Sequence, residues 1–358
     1  MVDVNDPDMA ALERLERRER RRVAAGRRVS MADVAALAGV SGQTVSRVVN
    51  DSPRVDPATR ARVEAAMERL GYRPHRAARA LRTGRTQTVG LVAQTLATVG
   101  NSRMMQAVAD AAASRGYALV VVTLGAAPGR VGPVADAFER LREQGVDGAI
   151  VLNEATRLAQ DAVIPADLAL VVVDAPTDAG FGAAVRVIDT DHAGGASSAT
   201  GHLLELGHRT VHHIAGPAGS FAAAERERGW RETLGAAGVD APEIVRGDWS
   251  AASGYAAARA LPSGATAVFA ANDQMALGAL RALPDTGRRV PEDVSVVGFD
   301  DIADAADYRP PLTTVRQDFD TLGERALAML VASIETEPAP AFETVPAPLV
   351  IRSSTARA

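Results

Sequence analysis

The chain has 358 residues with no cysteine and no lysine, which excludes disulfides, thiolate metal sites and a Walker-type phosphate loop. Its length calls for a small domain plus a larger body, or two similar domains. A hydrophobic fraction of 47% with only 4% aromatic residues points to a core of alanine, valine and leucine, the composition of layered α/β proteins. The net charge of −5 hides an asymmetry: residues 1–85 carry 18 arginines against 11 acidic residues (+7) and the rest 21 against 33 (−12), so a polyanion is the expected partner of the basic head.

The first 28 residues form a charged extension. Its segment ALERLERRERRRVAAGRR spaces Glu13 and Arg17, and Glu16 and Arg20, at i, i+4 with few apolar anchors. It reads as a solvated helix, with a phosphate-binding arm as the sharper alternative. No apolar leader segment is evident and no run approaches a membrane span, so the protein is expected in the cytoplasm.

From Val29 the pattern tightens into three short helices. Ser30 caps Met31–Ala38 with Asp33 as its capping-box partner, and Gly39 ends it. Ser41 caps a second helix to about Asn50. Asp56 and Pro57 open a third, which runs to Leu70 and stops at Gly71. The spacing suits a helix-turn-helix: small Ala35 where two helices cross, Gly39 where the turn needs positive φ, and β-branched Val45 facing inward. On the second helix Val45, Val48 and Val49 share one face. Gly42, Gln43, Ser46 and Arg47 share the other, where glutamine can pair with adenine and arginine with guanine in the major groove. Ser41, Thr44 and Asn50 are placed for phosphate contacts, which position without specifying. The spacing alone also fits a generic three-helix cap, but the basic linker RPHRAARALRTGRTQ and the charge asymmetry favour DNA.

Beyond residue 86 the rhythm alternates. TVGLVAQ, YALVVVTL, VDGAIVL, LALVVVDA, AVRVID, TVHHIAG, ATAVFAA and VSVVGFD are short apolar runs, the pattern of parallel strands buried on both faces. Helices are predicted over Ser102–Arg115, Val134–Gln144, Ala193–Leu206, Glu225–Ala237, Ala251–Ala260, Gln274–Leu283 and Phe319–Ile334. The fold class is therefore α/β: a helix-turn-helix headpiece followed by a doubly wound body large enough for two lobes, whose similar architecture would be a weak internal duplication. Polar residues stand at strand ends, Asp174, Asn272, Asp273, Asp300 and Asp301, where ligands bind in open α/β sheets. His208, His212 and His213 match no metal-ligand spacing and read as a turn into a buried strand, so no metal or cofactor is expected.

The segment VSMADVAALAGVSGQTVSRVVNDSPRVDPATRARVEAAMERLGYRPHRAARALRTG closely resembles the headpiece and hinge of the lactose-repressor (LacI) family of bacterial transcription regulators. The likeness continues through GHRTVHHIAGP, RGDWSAASGY, AANDQMALGAL, VSVVGFDD and RPPLTTVRQDFDTLGERAL, and spans roughly Val29 to Ser354. In GDWSAASG, ANDQMALGA and PPLTTVRQDF the chain is most similar to the family's type member. The resemblance implies a headpiece over 29–74, a hinge helix and linker over 75–86, and a periplasmic-binding-protein-like core over 87–358. The N-lobe would hold about 87–188 plus 319–345, and the C-lobe about 189–318 plus 346–358.

It also implies roles for particular residues. Ser30, Arg54, Thr59 and Ala78 join the DNA-contacting set, and Leu81 is the leucine that wedges into the minor groove to kink the operator, exchanging unstacking for wrapped surface. The alternative for Leu81 is a linker residue packed on the core. His75 replaces the usual asparagine at the hinge start, and Gly42 replaces a bulky recognition residue, so the operator should differ there. For the effector, the resemblance carries over Asp174, Arg226, Trp249, Asn272 and Asp300, with Gln317 and Phe319 as further candidates and Thr98 and Asn101 completing the site. Arg226 and Asp300 would hold adjacent hydroxyls while Trp249 offers a flat wall.

The expected function is a homodimeric, sugar-responsive repressor released from two-fold operator DNA by its inducer, and not an enzyme. A corepressor-dependent regulator is the alternative within the family. The cleft alone would also fit a solute-binding transport protein, which the basic headpiece disfavours, and a sugar-processing enzyme would need a nucleophile and base that cannot be placed. The tetramerising tail of the family's type member has no counterpart after VIRSSTARA, so a dimer is expected.

Overall fold

The computed structural model describes residues 29–49, 52–72, 84–125, 133–153, 155, 164–165, 167–176 and 185–358. Two compact units divide the chain, Met1–Arg85 and Thr86–Ala358.

In the first unit, α1 (Met31–Ala38), α2 (Gly42–Val49) and α3 (Pro57–Leu70) form on the expected signals. Ser30 and Asp33 make a reciprocal capping box, Asp33 Oδ2 accepting from Ser30 N at 2.9 Å, and Gly39 closes α1 in the left-handed conformation at φ 65°. Thr44 N donates to Ser41 Oγ at 3.2 Å, and Thr59 N donates to Asp56 Oδ2 at 3.0 Å with Pro57 opening α3. Each bond satisfies a helix-terminal N–H that has no intrahelical acceptor. The core between the helices is small and largely β-branched: Val34, Ala35, Ala38, Val45, Val48, Val63 and Ala66 are buried together.

The second unit contains two six-stranded sheets. The first holds β1 (Thr88–Ala93), β2 (Ala118–Thr123), β3 (Gly148–Leu152), β4 (Ala169–Val173) and β5 (Val185–Thr190), with α4 (Val99–Ser114) and α5 (Pro133–Glu143) packed against it. The second holds β6 (His212–Ala215), β7 (Val245–Arg246), β8 (Ala267–Ala270), β9 (Ser295–Asp300) and β10 (Thr313–Arg316). Its layers are α6 (His192–Glu205), α7 (Phe221–Ala236), α8 (Ala251–Ala260) and α9 (Asp273–Asp285). After β10 the chain returns: α10 (Phe319–Glu335) packs on the first sheet and β11 (Phe342–Val345) extends it beside β5. The chain then crosses once more, so that β12 (Leu349–Val350) pairs antiparallel with β10.

The strand orders are β11-β5-β4-β3-β1-β2 and β12-β10-β9-β8-β6-β7. The two lobes thus repeat one plan, and every pair except β10–β12 is parallel. Alternate residues on a strand enter opposite layers: Ile150 and Leu152 of β3 pack under α4 and α10, whereas Ala149 and Val151 face α5. In each lobe the order reverses between the first and third strands, and that reversal opens a crevice at their carboxyl ends.

The structure adds elements that apolar runs do not reveal. The strands β7, β10, β11 and β12 are two to four residues long and carry polar residues such as those of TTVR and FETV. Helix α4 starts at Val99 instead of Ser102 because Thr98 caps it, Asn101 N donating to Thr98 Oγ1 at 3.4 Å. Likewise α7 starts at Phe221 instead of Glu225, with Ser220 as its cap. Gly100 and the small residues of FAAA blur the helical period that would mark those first turns.

Candidate functional site

At the carboxyl ends of both sheets lies a solvent-open cavity of about 450 Å³. The structure brings all nine predicted effector residues to its wall: Thr98, Asn101, Asp174, Arg226, Trp249, Asn272, Asp300, Gln317 and Phe319. They arrive by one rule, since nearly every one ends a strand or opens the following helix. Asp174 follows β4 with φ 58°, Asp300 ends β9 with φ 113°, and Trp249 follows β7 with φ 74°. Thr98 and Asn272 are the N-caps of α4 and α9, and Phe319 is the first residue of α10.

Arg226 on α7 organises the interior. Its Nη1 donates to the Ala271 carbonyl, its Nη2 donates to Gln317 Oε1 at 3.1 Å, and Nη2 lies 3.5 Å from Asp300 Oδ1. Both Nε and Nη2 also point at His192 Nδ1, at 3.4 and 3.3 Å. The guanidinium stacks 3.8 Å from the ring centre of Phe299 and 5.6 Å from that of Trp249, which shields its charge from water. On the other wall Asp174 Oδ1 accepts from His192 Nε2 at 2.9 Å and from Thr190 N at 3.4 Å. Asn272 Nδ2 reaches the Trp249 carbonyl at 3.1 Å, and Asn101 Nδ2 the Thr95 carbonyl at 2.9 Å.

Burial pushes the Asp300 carboxyl up to about 6, and Asp174 pushes the same way, against the pull of Arg226. The arginine is close, but at 3.5 Å and shared among several acceptors it does not offset the loss of hydration. Next to it, burial and the charge of Asp300 raise Asp273 well above the usual carboxylate range, while Thr314 Oγ1 donates to it at 2.5 Å and Ile302 N at 2.9 Å. Asp273 thus braces the β9 and β10 ends instead of lining the cavity. Asp301 does likewise, binding Arg316 and Arg352 at 2.7 and 2.6 Å.

Four further residues line the cavity: Gly100, Asn153, Ser220 and Ala222. Asn153 follows β3 as Asp174 follows β4, so the strand-end rule would have found it. Ser220 is legible only once the start of α7 is known.

On the headpiece, α2 turns Val45 and Val48 inward and leaves Gly42, Gln43 and Arg47 exposed, with Ser46 half-buried. Ser30, Ser41, Thr44 and Thr59 sit at helix starts, and Arg54 is exposed between α2 and α3. Asn50, Ala78 and Leu81, with His75, lie outside the described residues. His208 and His213 are engaged inside the second lobe. His208 bonds Thr266 and Ser295, and His213 stacks on Phe269 with its ring centre 4.7 Å away. Among the described residues, no helix is long and apolar enough to cross a membrane.

Two family descriptions match the chain: bacterial regulatory proteins of the lacI family at residues 30–75, and a periplasmic binding protein-like domain at residues 200–355. The chain is 40% identical to the HTH-type transcriptional regulator CelR of Thermobifida fusca, the match covering 87% of this chain and 93% of that one. It is 37% identical to the lactose operon repressor of Escherichia coli (strain K12) over 91% of each. Among solved structures, a lac repressor dimer bound to operator and the anti-inducer ONPF superposes with a TM-score of 0.79 at 33% identity, covering 92% of this chain and all of that one. A complex of CelR with cellobiose does so at 0.67 and 37% identity, covering 91% of this chain. With relatives this similar over nearly its whole length, the chain belongs to the LacI family of bacterial transcription regulators.

Proposed function

We propose that the protein is a cytoplasmic, homodimeric repressor that leaves its operator when a small neutral sugar fills the cavity between its lobes. The observation that carries this reading is the convergence of Asp174, Arg226, Asn272, Asp300 and the flat indole of Trp249 on one cavity, in a chain that also carries a helix-turn-helix headpiece. Carboxylate, amide and guanidinium groups with an aromatic wall suit a polyhydroxylated ligand. The relatives bound to operator and to cellobiose support the same pair of partners.

In this reading residues 29–74 bind DNA, 75–86 connect, and 87–358 sense the effector and dimerise. Gln43 and Arg47 read base edges, Ser41 and Thr44 hold phosphates, and Leu81 wedges the minor groove. The sugar binds one lobe arrangement better than the other, and DNA binds the opposite one. Operator therefore weakens sugar by the same factor that sugar weakens operator.

Titrating cellobiose, lactose and related sugars into the protein–operator complex tests this. Release by at least one sugar is expected; unchanged operator affinity across the set removes the inducible-repressor reading. A sugar that tightens the complex makes the protein corepressor-dependent instead.

A further inference from the structure

His192 does not line the cavity but lies directly behind it, 2% exposed, and touches candidate ligand groups of both lobes. It is the first residue of α6, two residues after the end of β5, where the chain passes from the first sheet to the second lobe. Three such crossovers join the lobes, Thr190 to His192, Arg316 to Phe319 and Val345 to Leu349. Any change in the angle between the lobes is absorbed at these segments. Two of them present a side chain to Arg226: His192 Nδ1 and Gln317 Oε1.

The close approach is built into the helices. A Cβ at Gly229, one turn beyond Arg226, would lie 2.1 Å from the Ala193 carbonyl oxygen, so only glycine lets α7 rest against the start of α6. That contact sets the guanidinium against the His192 ring.

The direction of the hydrogen bonds then follows from donor inventory. A guanidinium has donors only, so Nδ1 of His192, facing Arg226 Nε and Nη2, must be the unprotonated acceptor. The proton is on Nε2, where it is donated to Asp174 Oδ1 at 2.9 Å. An imidazole offers an acceptor and a donor on opposite edges at a fixed separation, which is what a relay between an arginine and a carboxylate requires.

Resting on the effector reading above, we propose that His192 is the positioning residue of the site. It is a neutral, Nε2-protonated ring, held by Arg226 of the second lobe and holding Asp174 of the first, which presets the ligand groups of both lobes in one geometry. A ligand hydroxyl that draws Arg226 or Asp174 off the ring frees the crossover at His192 to rotate.

The absence of native cysteine makes the test direct. Spin labels at Ala113→Cys on α4 and Ala236→Cys on α7, both exposed, report the lobe-to-lobe distance in the full chain, diluted with unlabelled protein. One narrow distribution is expected for the parent, a broadened or shifted one for His192→Phe, and recovery of the narrow one in His192→Gln, whose amide again offers an acceptor and a donor. Nitrogen-15 spectra of histidine-labelled protein at pH 8 should show the Nε2-protonated tautomer at His192, and a mixture of tautomers in Arg226→Met. A distribution in His192→Phe identical to the parent's, or an Nδ1-protonated ring in the parent, overturns the relay. Should His192→Phe fail to fold, the tautomer of the parent decides. Both readouts are taken without effector, so they succeed or fail independently of whether a sugar binds.

Discussion

The indole of Trp249 fills the space that a side chain at Gly216 would need: a Cβ built there would lie 2.3 Å from the ring. Gly216 follows β6 and Trp249 follows β7, so two neighbouring strand ends make the flat wall of the cavity together. Gly216→Ala should push the indole out of place at a cost of about 1–3 kcal/mol, and lower sugar affinity about tenfold. Operator binding without sugar should be unchanged. The protein has only two tryptophans and the other, Trp230, is fully buried, so fluorescence quenching by sugar should be lost in Trp249→Phe and shifted in Gly216→Ala.

Arg226→Ala should still fold and bind operator, because the headpiece is a separate compact unit with its own core. Release by sugar should be abolished. Removing a buried, hydrogen-bonded charge from a binding site costs about 2–5 kcal/mol, so calorimetry should show at least about a thirtyfold loss of sugar affinity. Normal release in this variant would displace Arg226 from the site.

Arg47 is exposed on the outer face of α2. Arg47→Ala should weaken operator binding by about 1–3 kcal/mol and relax discrimination at one base position. A gel-shift series over single-base operator variants separates this from the uniform weakening expected of a phosphate contact.

His213 is fully buried on β6 between Phe269 and Trp230, and burial pushes its pKa down to about 4 against a hydrogen bond to the Phe269 carbonyl. The unfolded chain takes up a proton near pH 6.5 that the folded ring accepts only near pH 4, so stability is lost as pH falls through that window. The loss from this one group levels off at about 3 kcal/mol. Burial raises Asp189 to about 7 and Asp300 to about 6, which act in the opposite sense; they are common to parent and variant and cancel in the difference. In denaturant titrations at pH 7, 5.5 and 4, His213→Phe should therefore gain on the parent as the pH falls.

Much of this protein is local and therefore readable from the chain. Ser30 with Asp33, Asp56 with Pro57, and Gly39 and Gly71 mark helix ends by bonds and backbone angles that span a few residues, and the apolar runs of β1, β3, β4 and β9 mark strands that both layers cover. The cavity-lining groups Asp174, Asn272 and Asp300 stand at strand ends, where parallel topology always opens its crevice. Short β10, β11 and β12 left no such trace, because pairing with neighbouring strands, and not their own composition, makes them strands. Only the folded lobes decide what His192 does, since the atoms that define it, Arg226 Nη2 and Asp174 Oδ1, come from elements 34 and 18 residues away. Hydrogen-bond direction and charge at that point depend on distances between lobes, which residue order along a single chain does not contain.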